Sequence, residues 1–148
     1  MKIMKTLAAV CIAALTLVSC SKDPEDLIIG SWDVTDGTIT STISGMGPEY
    51  DGTHTYNVLD EGDKVTYTFN KDLTFTCVSV MDGESETETG TYVVADNKIT
   101  LKNAQGENGG EYEIKTIDKK NMTWYVSESE TDEDGSYTIE MTINFKKA

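Results

Sequence analysis

The chain has 148 residues, enough for one domain, with 12 lysines, no arginine, 26 acidic residues and a formal net charge of −14. That balance excludes nucleic acid as a partner, because nothing in it neutralises a run of phosphates, and the lack of arginine removes the usual bidentate grip on anions. Three cysteines and one histidine are too few for a disulfide framework or an ordinary zinc site, so no cofactor is expected.

Met1-Lys2-Ile3-Met4-Lys5 is a short basic opening, and residues 6–18 form an apolar run containing Leu7, Val10, Ile12, Leu15 and Leu17. The run is too short to span a bilayer, which takes about 20 helical residues, and reads as the core of a signal peptide over residues 1–19. It ends in Leu17-Val18-Ser19-Cys20, which resembles the lipobox of bacterial lipoproteins. The resemblance implies that Cys20 is acylated and becomes the new N-terminus, held in the membrane by two or three acyl chains. Residues 20–27 are then the lipidated cysteine and an acidic tether. Ser21-Lys22-Asp23-Pro24-Glu25-Asp26 is similar to the export signal of Bacteroidetes surface lipoproteins. This implies an outer-membrane protein exposed at the cell surface; a plain tether facing the periplasm is the other reading. Cys11 leaves with the signal, so Cys77 is the only free thiol of the mature chain.

From residue 28 to 148 the sequence shows period-2 alternation broken by turn residues, the pattern of half-buried strands. A first strand starts at Ser31 and carries Trp32 and Val34. A second covers 64–69, with Val65, Tyr67 and Phe69 in phase. Asn70-Lys71-Asp72 turns it into a third, where Leu73, Phe75 and Cys77 share a face. Asp82-Gly83 is a type I′ hairpin signal, since both residues tolerate positive φ. The fourth strand runs to Val94 or Ala95, and Asp96-Asn97 turns it into a fifth over 98–102. A sixth carries Tyr112 and Ile114, and a seventh Met122, Trp124 and Val126. The eighth alternates most cleanly: Tyr137, Ile139, Met141, Ile143 and Phe145 against Thr138, Glu140, Thr142, Asn144 and Lys146. The expected fold is all-β, an eight-stranded antiparallel up-and-down barrel that closes by pairing first strand with last. A two-sheet sandwich is the rival.

Leu27-Ile28-Ile29-Gly30-Ser31-Trp32 resembles the G-x-W opening of lipocalins and the wider calycin group. Phe69-Asn70-Lys71-Asp72-Leu73-Thr74-Phe75 and Gly90-Thr91-Tyr92-Val93-Val94 resemble lipocalin-like domains of bacterial lipoproteins. The resemblance implies a barrel with a cup for a small apolar molecule and Trp32 as a structural plug of its floor. The second and third motifs of secreted animal lipocalins are not evident, and no counterpart of their C-terminal helix is expected after Phe145.

In a meander, loops alternate between two ends. Connections at 70–72, 96–97 and 118–121 are short and make a floor; those at 44–62, 103–110 and 128–135 are longer and rim a mouth, where binding residues concentrate. Lys71, Lys98, Lys119, Lys120, Lys146 and Lys147 fall near the floor, where they could face an anionic membrane. Acidic residues crowd the mouth, which repels anions such as fatty acids and favours cations or neutral polar molecules.

Tyr67, Tyr112, Trp124 and Tyr137 offer ring faces with polar tips to a ligand, or form ordinary barrel core. Glu84, Glu86 and Glu88 share the phase of Tyr92 and Val94, which aims them inward near the mouth; a bulge at Gly90 would instead send them to solvent. Because burying unpaired carboxylates is costly, the solvated reading is favoured. Asp132-Glu133-Asp134-Gly135 has the oxygen donors of a calcium loop, yet Met141 stands where an EF-hand needs glutamate, leaving only a loose metal site at Asp132 and Asp134. His54 has no second histidine, Cys77 reads as a buried thiol, and no G-x-S-x-G nucleophile motif occurs. No catalytic residue is assigned; a hydrolase using mouth carboxylates is the exception kept open. The expectation is a monomeric, non-enzymatic lipoprotein binding a small hydrophobic or amphipathic ligand at the barrel mouth. The alternative is a packed barrel that binds protein or glycan through its long acidic loops, with Tyr50 and Tyr56 exposed.

Overall fold

The alternating segments form strands, and the strands close on themselves. The computed structural model describes residues 23–133 and 135–148; the segment expected to be a signal peptide, Cys20 and Asp134 lie outside the described residues. In chain order the elements are α1 (Pro24–Ile28), β1 (Gly30–Ser44), β2 (Gly52–Asn57), β3 (Lys64–Phe69), β4 (Thr74–Met81), β5 (Glu84–Ala95), β6 (Lys98–Asn103), β7 (Asn108–Ile117), β8 (Asn121–Thr131) and β9 (Ser136–Lys147). Every neighbouring pair is antiparallel, and β1 pairs with both β3 and β9. Eight strands thus make a closed up-and-down barrel, with β2 as a ninth, outside the ring, on the upper half of β1.

The extra strand corrects the expected count of eight and the expected long loop over 44–62. β1 runs on to Ser44, past its pairing with β3 but still paired with β9, and folds back as β2, so the two form an arm at the mouth. One residue, Thr35, is bulged out between Val34 and Asp36, and this flips the phase of β1. Below the bulge Trp32 and Val34 face the core; above it the inward set is Gly37, Ile39, Ser41 and Ile43, with Ile39 opposite Met141. The mouth is rimmed mainly by prolonged hairpins rather than loops: β8 and β9 stay paired out to Thr131 and Ser136.

Turn chemistry follows the residues. Asp82 and Gly83 both have positive φ (52° and 82°), as do Asp96 and Asn97 (52° and 59°), the geometry that twists a two-residue hairpin correctly. Leu73 is a correction. Expected inside with Phe75 and Cys77, it is 52% exposed and left-handed (φ 65°) in the β3–β4 turn, where its N–H donates to Asn70 O and its carbonyl accepts from Tyr92 N.

The acidic segment expected to be a tether contains α1, and its last residue, Ile28, is fully buried beneath the barrel. This floor explains the G-x-W opening. Gly30 has φ 120°, and a Cβ there would lie 2.9 Å from Lys147 Cε. Trp32 is fully buried and its indole N–H donates to Ile28 O at 2.6 Å. Lys147, in the inward phase of β9, lays its ammonium 4.2 Å from the centre of the Trp32 ring and donates to Leu27 O and Ile29 O. Above this layer the core is Phe69, Phe75, Tyr92, Ile99, Leu101, Ile114, Met122 and Phe145. Each such buried side chain contributes about 1.5–3 kcal/mol, so the lower barrel supplies most of the stability.

Candidate ligand site at the barrel mouth

The packed core ends in an aromatic layer. Trp124 is fully buried, with its ring 5.4 Å from Tyr67, 5.1 Å from Tyr112 and 4.5 Å from Phe145. Tyr112 stacks on it at an interplanar angle of 21°, and its indole N–H donates to Met122 Sδ. Moving up β8 from Trp124, the next inward residues are Val126 and Glu128, opposite Met141 and Ile139 of β9. Here the packing opens. A cavity of about 340 Å³ is lined by Ile39, Gly110, Glu111, Tyr112, Val126, Glu128, Ile139 and Met141. Larger grooves flank α1 at the floor, but they lie outside the barrel, one between mixed charges (Asp23, Lys115, Asp118, Lys119) and the other beside Glu25, Asp26 and Lys71.

The opposite wall of the mouth carries the β5 glutamates. The β4–β5 register is unbroken, with Phe75 opposite Gly90, Cys77 opposite Glu88 and Ser79 opposite Glu86. The bulge considered at Gly90 does not form. Gly90 is there for close approach instead: a Cβ would sit 1.9 Å from Lys102 O and 2.8 Å from Phe75. Glu84, Glu86 and Glu88 therefore keep the inward phase, yet they stand above the packed layers and are exposed to water. The carboxylates are solvated without the bulge that was expected to turn them outward, because inward phase and burial part company once the barrel widens.

Tyr67, Tyr112 and Cys77 form the polar layer beneath these acids. Burial pushes the Tyr67 phenol well above the usual range, and Cys77, Tyr112 and Glu88 push it the same way. Burial also raises Tyr112, with Glu88 and Glu128 adding to it. The Cys77 thiol is raised by burial and by Glu88 and Glu86, against a lowering hydrogen bond from Tyr67, so it is a poor nucleophile. One phenol thus feels a carboxylate from β5 and another from β8.

The sequence-predicted residues divide accordingly. Tyr67, Tyr112, Trp124 and Glu88 come together, with Glu86 one step higher. Tyr137 does not join them. It pairs with Ile43 and Glu130, six residues along β9 from the partner of Trp124, about 20 Å at strand rise. Trp32 sits at the other end. Asp132 accepts from Gly135 N within the β8–β9 turn, and among the described residues no group of three or more His, Cys, Asp or Glu is arranged to hold a metal. The lysine division needs correcting. Lys147 is turned inward, Lys98 pairs with Glu111, and Asp23, Glu25, Asp26, Asp72, Asp96 and Asp118 share the floor, which is balanced rather than basic. Ile39 is a lining residue that the sequence pattern hides. Its signal was the alternation of Thr38, Thr40 and Thr42 with Ile39, Ser41 and Ile43, hidden by the phase flip at Thr35.

A closed eight-stranded barrel with a solid floor and a cavity at one end belongs to the small-ligand-binding class. The family model for the lipocalin-like domain matches residues 28–124, and the chain belongs to that family, which is typically one of non-enzymatic binding. No curated protein matches the chain. Among solved structures it is similar to a lipocalin-like protein from Bacteroides uniformis (12% identity, 82% of this chain and 98% of that one, TM-score 0.46). It is also similar to an uncharacterized protein from Bacteroides eggerthii (13%, 82% and 99%, 0.46) and to a second Bacteroides uniformis protein (20%, 78% and 89%, 0.48).

Proposed function

We propose that this chain is an outer-membrane lipoprotein, anchored through acyl chains on Cys20, whose barrel takes a small hydrophobic or amphipathic molecule at its mouth. The observation that carries the ligand half is the cavity above Trp124, apolar along Ile39, Val126, Ile139 and Met141 and open only where the core packing stops. The anchor half rests on the lipobox-like Leu17-Val18-Ser19-Cys20. It is supported by α1, the first described element, which lies at the floor with Ile28 buried beneath the barrel.

Native mass spectrometry of residues 21–148, purified gently from their own host, tests the ligand half. A small-molecule adduct that is lost on denaturation is expected, and its mass identifies the occupant. A bare mass moves the assignment to the second reading, in which the arm is the working surface for a protein or glycan. That reading has its own observation: Tyr50 and Tyr56 on the arm are 62% and 58% exposed. For the anchor half, metabolic labelling with a palmitate analogue should mark the wild-type chain and leave Cys20→Ala unmarked.

A further inference from the structure

We infer that the mouth cavity selects amphiphiles with a cationic head, holding an ammonium group between Glu88 and Glu128 beside Tyr112 while the apolar tail lies along Val126, Met141, Ile39 and Ile139. This rests on the ligand-binding reading above and adds the sign of the charge. Three features of the cavity carry it.

The first is the lining itself. Glu128 is part of the cavity wall, one inward step above Val126, so any head group entering over the apolar stretch meets a carboxylate. The second is the opposing wall. Glu88 is in the inward phase of β5 opposite Cys77, three strands round the ring from Glu128, and the charge of each raises the Tyr112 hydroxyl. The third is the sorting of positive charge. Lys64, Lys98, Lys102, Lys115 and Lys146 all fall in the outward phase of their strands, and Lys71, Lys119 and Lys120 sit in floor turns. Among the described residues only Lys147 points inward, and it is held at the floor against Trp32. The inner wall above Trp124 therefore offers an incoming anion no positive partner. An ammonium gains two carboxylates and the face of Tyr112.

Residues 21–148 contain every strand of the closed barrel and serve as the test protein. Calorimetric titration with octylammonium, 1-octanol and octanoate, which share one chain length and differ in head charge, separates tail from head. Octylammonium is expected to bind about tenfold more tightly than octanol, with octanoate weakest, and the gap should narrow as salt rises. The double change Glu88→Gln/Glu128→Gln should bring octylammonium to the affinity of octanol. Glu25→Gln/Glu113→Gln, which removes the same net charge from the floor helix and the outer wall, should leave the gap intact. If octanoate binds as well as octylammonium, or the gap survives Glu88→Gln/Glu128→Gln, the charge assignment is overturned and the cavity stands. If none of the three binds, the charge assignment and the mouth-cavity reading fall together.

Discussion

At the scale of single residues, the left-handed Leu73 shows a local cost that the fold accepts. An L-residue in that region costs about 1–2 kcal/mol, more than the roughly 0.5–1 kcal/mol of extra chain entropy that glycine would bring. Leu73 is half exposed, so little packing offsets the strain. Leu73→Gly should therefore raise stability by about 0.5–1 kcal/mol, read as an increase in the urea midpoint at constant slope. A fall in the midpoint would mean that the apolar surface it contributes to the groove beside α1, which Ile29 and Val93 also line, outweighs the strain. Tyr67, Tyr92 and Tyr112 set the alkaline limit. Their phenols are raised chiefly by burial, so the folded chain holds protons that the unfolded chain releases near the ordinary value of 10. A raised group stabilises fully below its unfolded pKa and loses that contribution as pH climbs past it. Stability should thus fall above about pH 10, and the tyrosinate absorbance of these three residues should appear together with the loss of far-ultraviolet dichroism. Tyr67→Phe should make the fall shallower.

At the scale of elements, β2 is dispensable for closure. All six of its residues are exposed, and it pairs with Thr38–Ile43 of β1, above the Gly30–Asp33 stretch that closes the ring against β3. Replacing residues 41–54 by Asn-Gly leaves Thr40 and Thr55 facing each other across a type I′ turn and removes the arm. Closure through Trp32–Val34 and Ile39–Thr40 of β1 against β9 remains. The lost pairs of Ser41–Ser44 with β9 should cost about 1–2 kcal/mol, with the sheet dichroism intact. Loss of the sheet signal would show that the arm is needed to bring β1 and β9 together. The same element marks where the sequence stops being legible. Strands such as β3 and β9 are readable because Val65, Tyr67 and Phe69, or Ile143 and Phe145, must alternate to bury one face. Thr53-His54-Thr55-Tyr56 buries neither face, so no hydrophobic period records that it is a strand. The bulge at Thr35 and the close approach at Gly90 have opposite outcomes, yet both depend on contacts with distant strands, Asn144 and Lys102, which local pattern cannot show. α1 is only five residues long and mostly acidic, and its single buried side chain, Ile28, leaves no helical stripe to read.

At the scale of the whole molecule, the barrel has two ends with different work, and each has its own tryptophan. Trp32 joins α1, Gly30 and Lys147 into a floor in which every contact is structural. Trp124 is equally buried but stacks on Tyr112, the ring that lines the cavity. A ligand entering at the mouth must therefore alter the surroundings of one indole and leave the other unchanged. Trp32→Phe removes a buried N–H···O bond and weakens the cation–π contact with Lys147, and should cost about 2 kcal/mol of stability. It should change the affinity for 1-octanol by less than about threefold, because nothing in the cavity moves. The emission change on octanol binding should survive in Trp32→Phe and disappear in Trp124→Phe, with the urea midpoint of each variant measured alongside to confirm folding. The reverse pattern, a response kept without Trp124 and lost without Trp32, would locate binding in the grooves beside α1. The mouth would then be left with the arm and its exposed tyrosines as the working surface.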